Sequence, residues 1–322
     1  MKTLSTRRFH QIAILMGLFT VLMVPLASCS SNNNASDSAS ASDAADRGPD
    51  DAVQVGVLVI RDIEFAREQY GPILDYLSEQ VGRPFVLVPV AQESQFLEVE
   101  GGRLDFIISN PLASVQMRRL YGTELIVTQS QPNTGTQLAG QIIVKSDSDI
   151  SSIQDLKGRN GACVSLETAA AGCLFQTLHV QQNDVNPFLD FGSLLEISSQ
   201  NNIVLSVING EIDFGFVRTG QIETMVNSGL LADASQVRVL EPKQEDGFIY
   251  EHTTRLYPTW PVAATGSAPP ALVESVKQAL LNMPPDSPAL EAANLESFVS
   301  AADYAAVDQL ISELQLRSWD AQ

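Results

Sequence analysis

Cysteine, histidine and positive charge are all scarce in this 322-residue chain: three Cys, three His, and 19 Lys plus Arg against 38 Asp plus Glu. Three cysteines are too few for a disulfide-built scaffold, and no C-x-x-C or H-x-x-x-H spacing offers a zinc site. So few histidines argue against an enzyme organised around several of them. The net charge of −19 excludes broad nucleic-acid binding, because phosphates would be repelled by most of the surface. Also absent are a Walker loop, a nucleophile elbow and any conspicuous carboxylate pair. No metal, no cofactor and no catalytic residue is therefore expected. At 44% hydrophobic and 18% charged the chain is nonetheless a folding one. Its length suits one large domain or two lobes with a sizeable core.

Long apolar sequence is confined to the N-terminus. Lys2, Arg7 and Arg8 precede an uncharged run from Ile12 to Val24, too short for a comfortable membrane span, and Leu26-Ala27-Ser28-Cys29 ends it. Residues 1–28 thus read as a signal peptide. Leu-Ala-Ser-Cys resembles the lipobox of bacterial lipoproteins, which implies lipidation of Cys29 and a new N-terminus there; a lone cysteine beside an ordinary signal-peptidase site is the other reading. Arg7-Arg8 makes a weak twin-arginine signal, since His10 stands where an apolar residue is expected. Cleavage before Cys29 removes three positive charges, moving the net charge from −19 to −22. Residues 29–52 are small and polar without periodicity, which makes a tether. At roughly 5–6 Å × √n it holds the folded part on the order of 25 Å from a membrane.

From Val53 onward short apolar runs alternate with helical patterns, the mark of α/β lobes with largely parallel sheets. Strands are predicted at Val53–Ile60, Phe85–Val90, Phe106–Ser109 and Leu125–Thr128. Pro72 is predicted to open a helix whose Ile73, Leu74, Leu77 and Val81 share a face, closed by Gly82. A second series holds strands at Gln141–Lys145, Ala162–Ser165 and Asp213–Val217, with helices over Thr168–Gln182, Asn202–Asn209 and Thr219–Asn227. Gly102-Arg-Leu-Asp-Phe106 and Gly210-Glu-Ile-Asp-Phe214 repeat one pattern, a glycine ending a helix and an Asp–Phe pair beginning a strand. Ligands of open α/β sheets collect beyond the carboxyl ends of strands. Two such lobes face to face make a cleft with Asn110 on one side and Arg218 and Thr219 on the other.

Asp105-Phe-Ile-Ile-Ser-Asn-Pro111, Asp155-Leu-Lys-Gly158 and Gly210-Glu-Ile-Asp-Phe-Gly-Phe-Val-Arg-Thr-Gly220 resemble the phosphonate-type substrate-binding proteins of ABC transporters. Thr254-Arg-Leu-Tyr-Pro-Thr-Trp-Pro261 is similar to the sensing domains of tetrathionate-type histidine kinases. The resemblance covers about residues 53–285. It implies a type II periplasmic-binding-protein fold, two α/β lobes around a ligand cleft and joined by two crossing hinge strands. Residues 53–140 with 250–322 would form lobe 1, and 141–249 lobe 2. The crossings are expected near Gly140–Lys145 and Phe248–Leu256, with C-terminal helices at Ala271–Leu281 and Tyr304–Leu314 packed on lobe 1.

Arg218 is the foremost ligand candidate, a forked donor at a strand end followed by a helix start at Thr219-Gly220; a salt bridge is its alternative. Asn110 either donates to ligand or caps the helix after Pro111, and Ser109 shares that ambiguity. Ser165 to Thr168 precede a long helix whose free amides make an anion cradle. The phosphonate-type pattern has hydroxyl residues immediately before the helix Gly, whereas this chain has Ala170-Ala171-Gly172, and Glu167 discourages a dianion. Arg61 follows the first strand, within reach of a ligand. Tyr257 and Trp260 either wall the pocket or pack on a turn, Arg255 binds ligand or braces the hinge, and His252 senses pH or is structural. Cys163 and Cys173 suit a disulfide in an exported protein, or two buried thiols, or a redox pair facing an oxidised sulfur ligand.

The expected protein is a monomeric, membrane-anchored solute-binding lipoprotein facing the periplasm or exterior. It captures a small oxyanion (phosphonate, phosphate, phosphite or a sulfur oxyanion) by cleft closure and passes it to an ABC permease. A sensor kinase as membrane partner is the alternative; an enzyme, for which Glu167 beside Cys163 is the only suggestion, and an adhesion lipoprotein are further rivals. With −4 on the tether and −18 on residues 53–322, long-range steering of anions is unfavourable. An anion site here works locally, through Arg218 and helix amides.

Overall fold

A computed structural model describes residues 52–315. The leader, the lipobox cysteine Cys29 and nearly all of the tether lie outside the described residues. The first strand, β1 (Val53–Leu58), is apolar and buried at every position but the half-buried Gln54, as suits a central parallel strand. Helix α1 (Ile63–Val81) follows, with Asp62 accepting from Phe65 N (2.8 Å) at its start and Gly82 closing it at φ 73°. The helix predicted to open at Pro72 thus begins nine residues earlier, and Pro72 lies inside it. The buried face Ala66, Tyr70, Ile73, Leu74 and Leu77 runs straight past the proline, so continuous burial offsets the roughly 3 kcal/mol that an interior proline costs a helix.

The chain continues through β2 (Phe85–Val90), α2 (Ser94–Glu100), β3 (Phe106–Ile108), α3 (Pro111–Tyr121) and β4 (Glu124–Ser130). It then crosses as β5 (Gln137–Leu138) into a second series. That series holds β6 (Gly140–Lys145), β7 (Asn160–Cys163), a π-helical turn at Ala170–Leu174 running into α4 (Phe175–Gln182), β8 (Ser193–Glu196) and α5 (Gln200–Asn209). After these come β9 (Phe214–Arg218), α6 (Gln221–Asn227), β10 (Val237–Val239), β11 (Lys243–Glu245) and β12 (Phe248–His252). The return is β13 (Tyr257–Pro258), leading to β14 (Pro261–Ala264), α7 (Pro270–Leu281), α8 (Pro288–Ala293), β15 (Ser297–Ser300) and α9 (Ala305–Leu314).

Two sheets result, six strands in the order β15-β4-β14-β3-β1-β2 and five in the order β10-β6-β9-β7-β8. In each, parallel pairs (β2, β1 and β3; β8, β7 and β9) form one half, and antiparallel partners the other. The crossing ribbon is β5 with β13, pairing Leu138 with Tyr257 and Gln137 with Pro258. The crossings therefore fall just outside the predicted segments. Gly140–Lys145 is hydrogen-bonded on both sides, to β9 and β10, which makes it a sheet member; Phe248–His252 pairs with β11.

Of the C-terminal helices, α7 covers the first sheet, with Leu272, Val276 and Leu280 in its core. Helix α9 departs from the expectation. Its Val307, Leu310 and Ile311 join one apolar cluster with Leu112 and Val115 of α3 and with Phe175 and Leu178 of α4, so it packs on both lobes. Asp308 receives Arg118 and, at 2.8 Å, Arg119 from α3, while Gln182 of α4 donates to Glu313 (3.0 Å). Among the described residues no helix is long and apolar enough to cross a membrane.

On α4, burial in the first place, and Lys243 in the second, hold the His179 pKa down at about 4, against 6.5 in an unfolded chain. The folded state prefers neutral His179, so its contribution is fully present above pH 6.5 and is lost as pH falls towards 4. The melting temperature should drop between pH 7 and pH 5, and His179→Gln should blunt that drop; equal pH profiles would remove His179 as the cause.

Candidate functional site

Both sheets end at the same place. The carboxyl end of β3 delivers Ser109 and Asn110, and that of β2 delivers Gln92, beside the turn that follows β7. Asn110 performs both roles read from the sequence. Its Oδ1 accepts from Ala113 N (3.0 Å), capping α3, while its Nδ2 donates to Thr168 O across the cleft (3.2 Å) and to Gln92 Oε1 (3.3 Å). Ser109 faces inward: fully buried, its hydroxyl donates to Gln95 Oε1 (2.6 Å), which makes it a support for the Asn110 segment.

The opposite wall is a tightly bound turn. Ser165 Oγ and Thr168 Oγ1 lie 3.0 Å apart, and Val164 N donates to Gly172 O (3.0 Å). A disulfide between Cys163 and Cys173 closes the loop that carries them. The first backbone bond of the helical run is Leu174 N to Ala169 O (3.0 Å). The amides of Ala170 to Cys173 thus have no carbonyl ahead of them in the helix, the arrangement that favours anions at helix starts. Ala170 and Ala171 are buried, and Glu167 is exposed.

Gln176 anchors this turn to the sheet. Its buried Nε2 lies within hydrogen-bonding distance of Ala171 O (2.8 Å), Val217 O (2.8 Å) and Gln141 O (3.2 Å). The amide fits only because residue 140 is glycine, where an added Cβ would come within 2.5 Å of the Gln176 side chain. Gly140→Ala should destabilise the fold by about 1–3 kcal/mol, the usual size of overpacking, and weaken ligand binding by shifting the turn. Unchanged unfolding in urea would show that Gln176 does not depend on the open space at residue 140.

The remaining candidates do not meet Asn110 and Thr168. Arg218 is half-buried at the end of β9, and its guanidinium turns back within its own lobe, donating to Thr219 O (3.0 Å) and Thr224 Oγ1 (3.4 Å). Burial lowers its pKa, with Tyr250 and Glu223 opposing, yet an arginine stays charged under such shifts. Thr219 is a clasp at the hinge: its N donates to Ala139 O (3.0 Å) and its Oγ1 accepts from Ala139 N (3.2 Å). Arg61 is exposed, its guanidinium 4.3 Å from the Phe65 ring centre. Tyr257 is buried on the crossing ribbon and stacks on Phe175 with ring centres 3.7 Å apart; burial pushes its pKa up to about 12. Trp260 packs against the first sheet's core. His252 is fully buried, its Nδ1 2.7 Å from Thr254 O. Gln92 was not singled out in the sequence, although the strand-end rule that found Asn110 applies equally to the residue two after β2.

Two α/β lobes joined by a crossing ribbon, with strand ends and a helix start meeting between them, define the type II periplasmic-binding-protein fold. Solved structures share that fold. Phosphonate-binding PhnD1 from Prochlorococcus marinus, in complex with methylphosphonate, superposes with a TM-score of 0.65 at 17% identity, covering 82% of this chain and 98% of that one. XAC2383 from Xanthomonas citri, bound to ATP, gives 0.64 at 18% identity over 84% and 96%. Residues 55–305 match the family described as ABC transporter, phosphonate, periplasmic substrate-binding protein, and the chain belongs to that family. It is also 23% identical over 235 residues to the tetrathionate sensor histidine kinase TtrS of Salmonella typhimurium. The match covers 71% of this chain and spans 39% of the kinase.

Proposed function

We infer that this protein is an extracytoplasmic, lipid-anchored solute-binding protein, monomeric and without catalytic activity. It traps a small oxyanion between its lobes and delivers it to an ABC importer. The bond from Asn110 to Thr168 O carries the reading, because it joins a strand end of one lobe to a helix start of the other. The unpaired amides of Ala170 to Cys173, with the hydroxyls of Ser165 and Thr168 beside them, supply donors for an anion. Ala170 and Ala171 bring no hydroxyls, so the turn favours an oxyanion of lower charge density than a phosphonate dianion. Lipidation at Cys29 would hold the protein at the membrane.

A thermal-shift screen with methylphosphonate, phosphate, phosphite, a sulfonate, thiosulfate and tetrathionate tests this. A true ligand at a hundredfold excess over its Kd should add about 2.7 kcal/mol of stability. No shift with any of them sinks the oxyanion reading.

The similarity to a sensor kinase supports a second reading, in which the liganded protein engages a membrane histidine kinase. Cross-linking of the liganded protein in native membranes separates the two. Capture of a permease supports transport; capture of a kinase supports sensing.

A further inference from the structure

A cavity of about 420 Å³ opens on the hinge, lined by Gln137 of β5, Arg255, Tyr257, Asp303 just before α9, and Gln309 within it. None of Gln92, Asn110, Ser165 or Thr168 lines it. The volume lies within the roughly 300–1,000 Å³ usual for small-molecule sites. Its charges are uncompensated. Arg255 is exposed and makes no ion pair among the described residues, its guanidinium resting 5.6 Å from the Tyr257 ring centre. Asp303 accepts from Ala305 N (2.8 Å) through Oδ1 and pairs with no cation among the described residues. By contrast Asp308, farther along α9, is paired with both Arg118 and Arg119 of α3. One cation and one anion thus line the same cavity without joining each other.

We propose that this cavity is a second ligand site, taking a small zwitterion of the α-amino-acid kind. Arg255 offers forked donors to the carboxylate, Asp303 accepts from the ammonium, and the Gln137 amide supplies further polar contact. The site shares no lining residue with the cleft, yet it is placed to influence it. Its walls belong to the crossing ribbon and to α9, the elements that touch both lobes. Tyr257 stacks on Phe175, the residue directly after the π-helical turn that carries the cleft amides. A zwitterion seated against Tyr257 therefore favours one lobe angle over another, and by linkage a cleft ligand changes the affinity of the hinge site by the same factor.

Isothermal titration of the purified protein with L-alanine, L-glutamine and L-glutamate tests the site, with acetate and ethylammonium as singly charged controls. At least one amino acid should bind, and neither control should. Arg255→Gln, at an exposed position, and Asp303→Asn, which keeps an acceptor for Ala305 N, should each weaken binding about tenfold or more, the scale of a lost charge-assisted contact. Asn110→Asp, which removes no group lining the cavity, should leave amino-acid binding in place, with its affinity changed only through the shift in lobe angle. No heat from any amino acid up to millimolar concentration overturns the proposal. Binding that survives both hinge substitutions and vanishes in Asn110→Asp also overturns it, assigning amino acids to the cleft. Binding that depends on Arg255 in a protein that no oxyanion stabilises supports the hinge site and refutes the oxyanion reading alone.

Discussion

Asn110→Asp is expected to hold the lobes apart while leaving helix α3 intact. An aspartate keeps the oxygen that accepts from Ala113 N, and Asp caps helices as well as Asn does. What it loses is the amide that donates to Thr168 O and Gln92 Oε1. In its place a carboxylate faces two oxygens, with the Thr168 carbonyl left without that donor. Leaving a buried acceptor unpaired costs about 1–3 kcal/mol, so the closed state should lose roughly ten- to a hundredfold in population. Small-angle scattering of the ligand-free protein should show a larger radius of gyration, with the melting temperature lowered by no more than a few degrees. Oxyanion affinity should fall by a similar factor. An unchanged radius with unchanged affinity would mean that the Asn110–Thr168 bond does not govern closure.

Removing the disulfide is expected to have the largest effect on stability. Cys163 ends β7 and Cys173 lies in the π-helical turn, so the bond clamps Val164 to Gly172, the segment that presents Thr168 and the free amides. Native disulfides typically contribute about 2–4 kcal/mol, and in a domain of this size that is roughly 5–10 °C in melting temperature. The Cys163→Ser/Cys173→Ser double variant should melt lower by that amount, and hydrogen exchange should rise over residues 164–174. The effect should be local first, because Gln176 still ties the turn to β6 and β9. Equal melting temperatures for the wild type and the double variant would reduce the bond to a by-product of proximity.

Much of the architecture was legible because period-two and period-3.6 apolar patterns are strong in this chain. The strand-end rule leads to Asn110 from the sequence alone. It did not say that one side chain would cap and reach across at once, which takes Thr168 O from a segment 58 residues on. Proline punctuation misled at Pro72, where the buried face of α1 outweighs one lost backbone bond. Arg218 illustrates a different limit. The sequence places it at a strand end, but not the direction of its guanidinium, which Thr219 O and Thr224 Oγ1 decide. Helix α9 was visible as a helix, whereas its two-sided packing depends on α3 and α4 presenting Leu112, Val115, Phe175 and Leu178 to one surface.

The strand order also fixes when the first lobe can exist. Strand β14 lies between β3 and β4, so the six-stranded sheet stays in two pieces until residues 261–264 are available. The five-stranded sheet uses only residues 140–239, an uninterrupted stretch of chain. During synthesis the second lobe can therefore complete its hydrogen bonding while the first waits, its β3 and β4 edges open for more than a hundred residues. Such unpaired edges are templates for misassociation. The order of the strands makes the first lobe the part of this protein most exposed to aggregation before its last fifth has arrived.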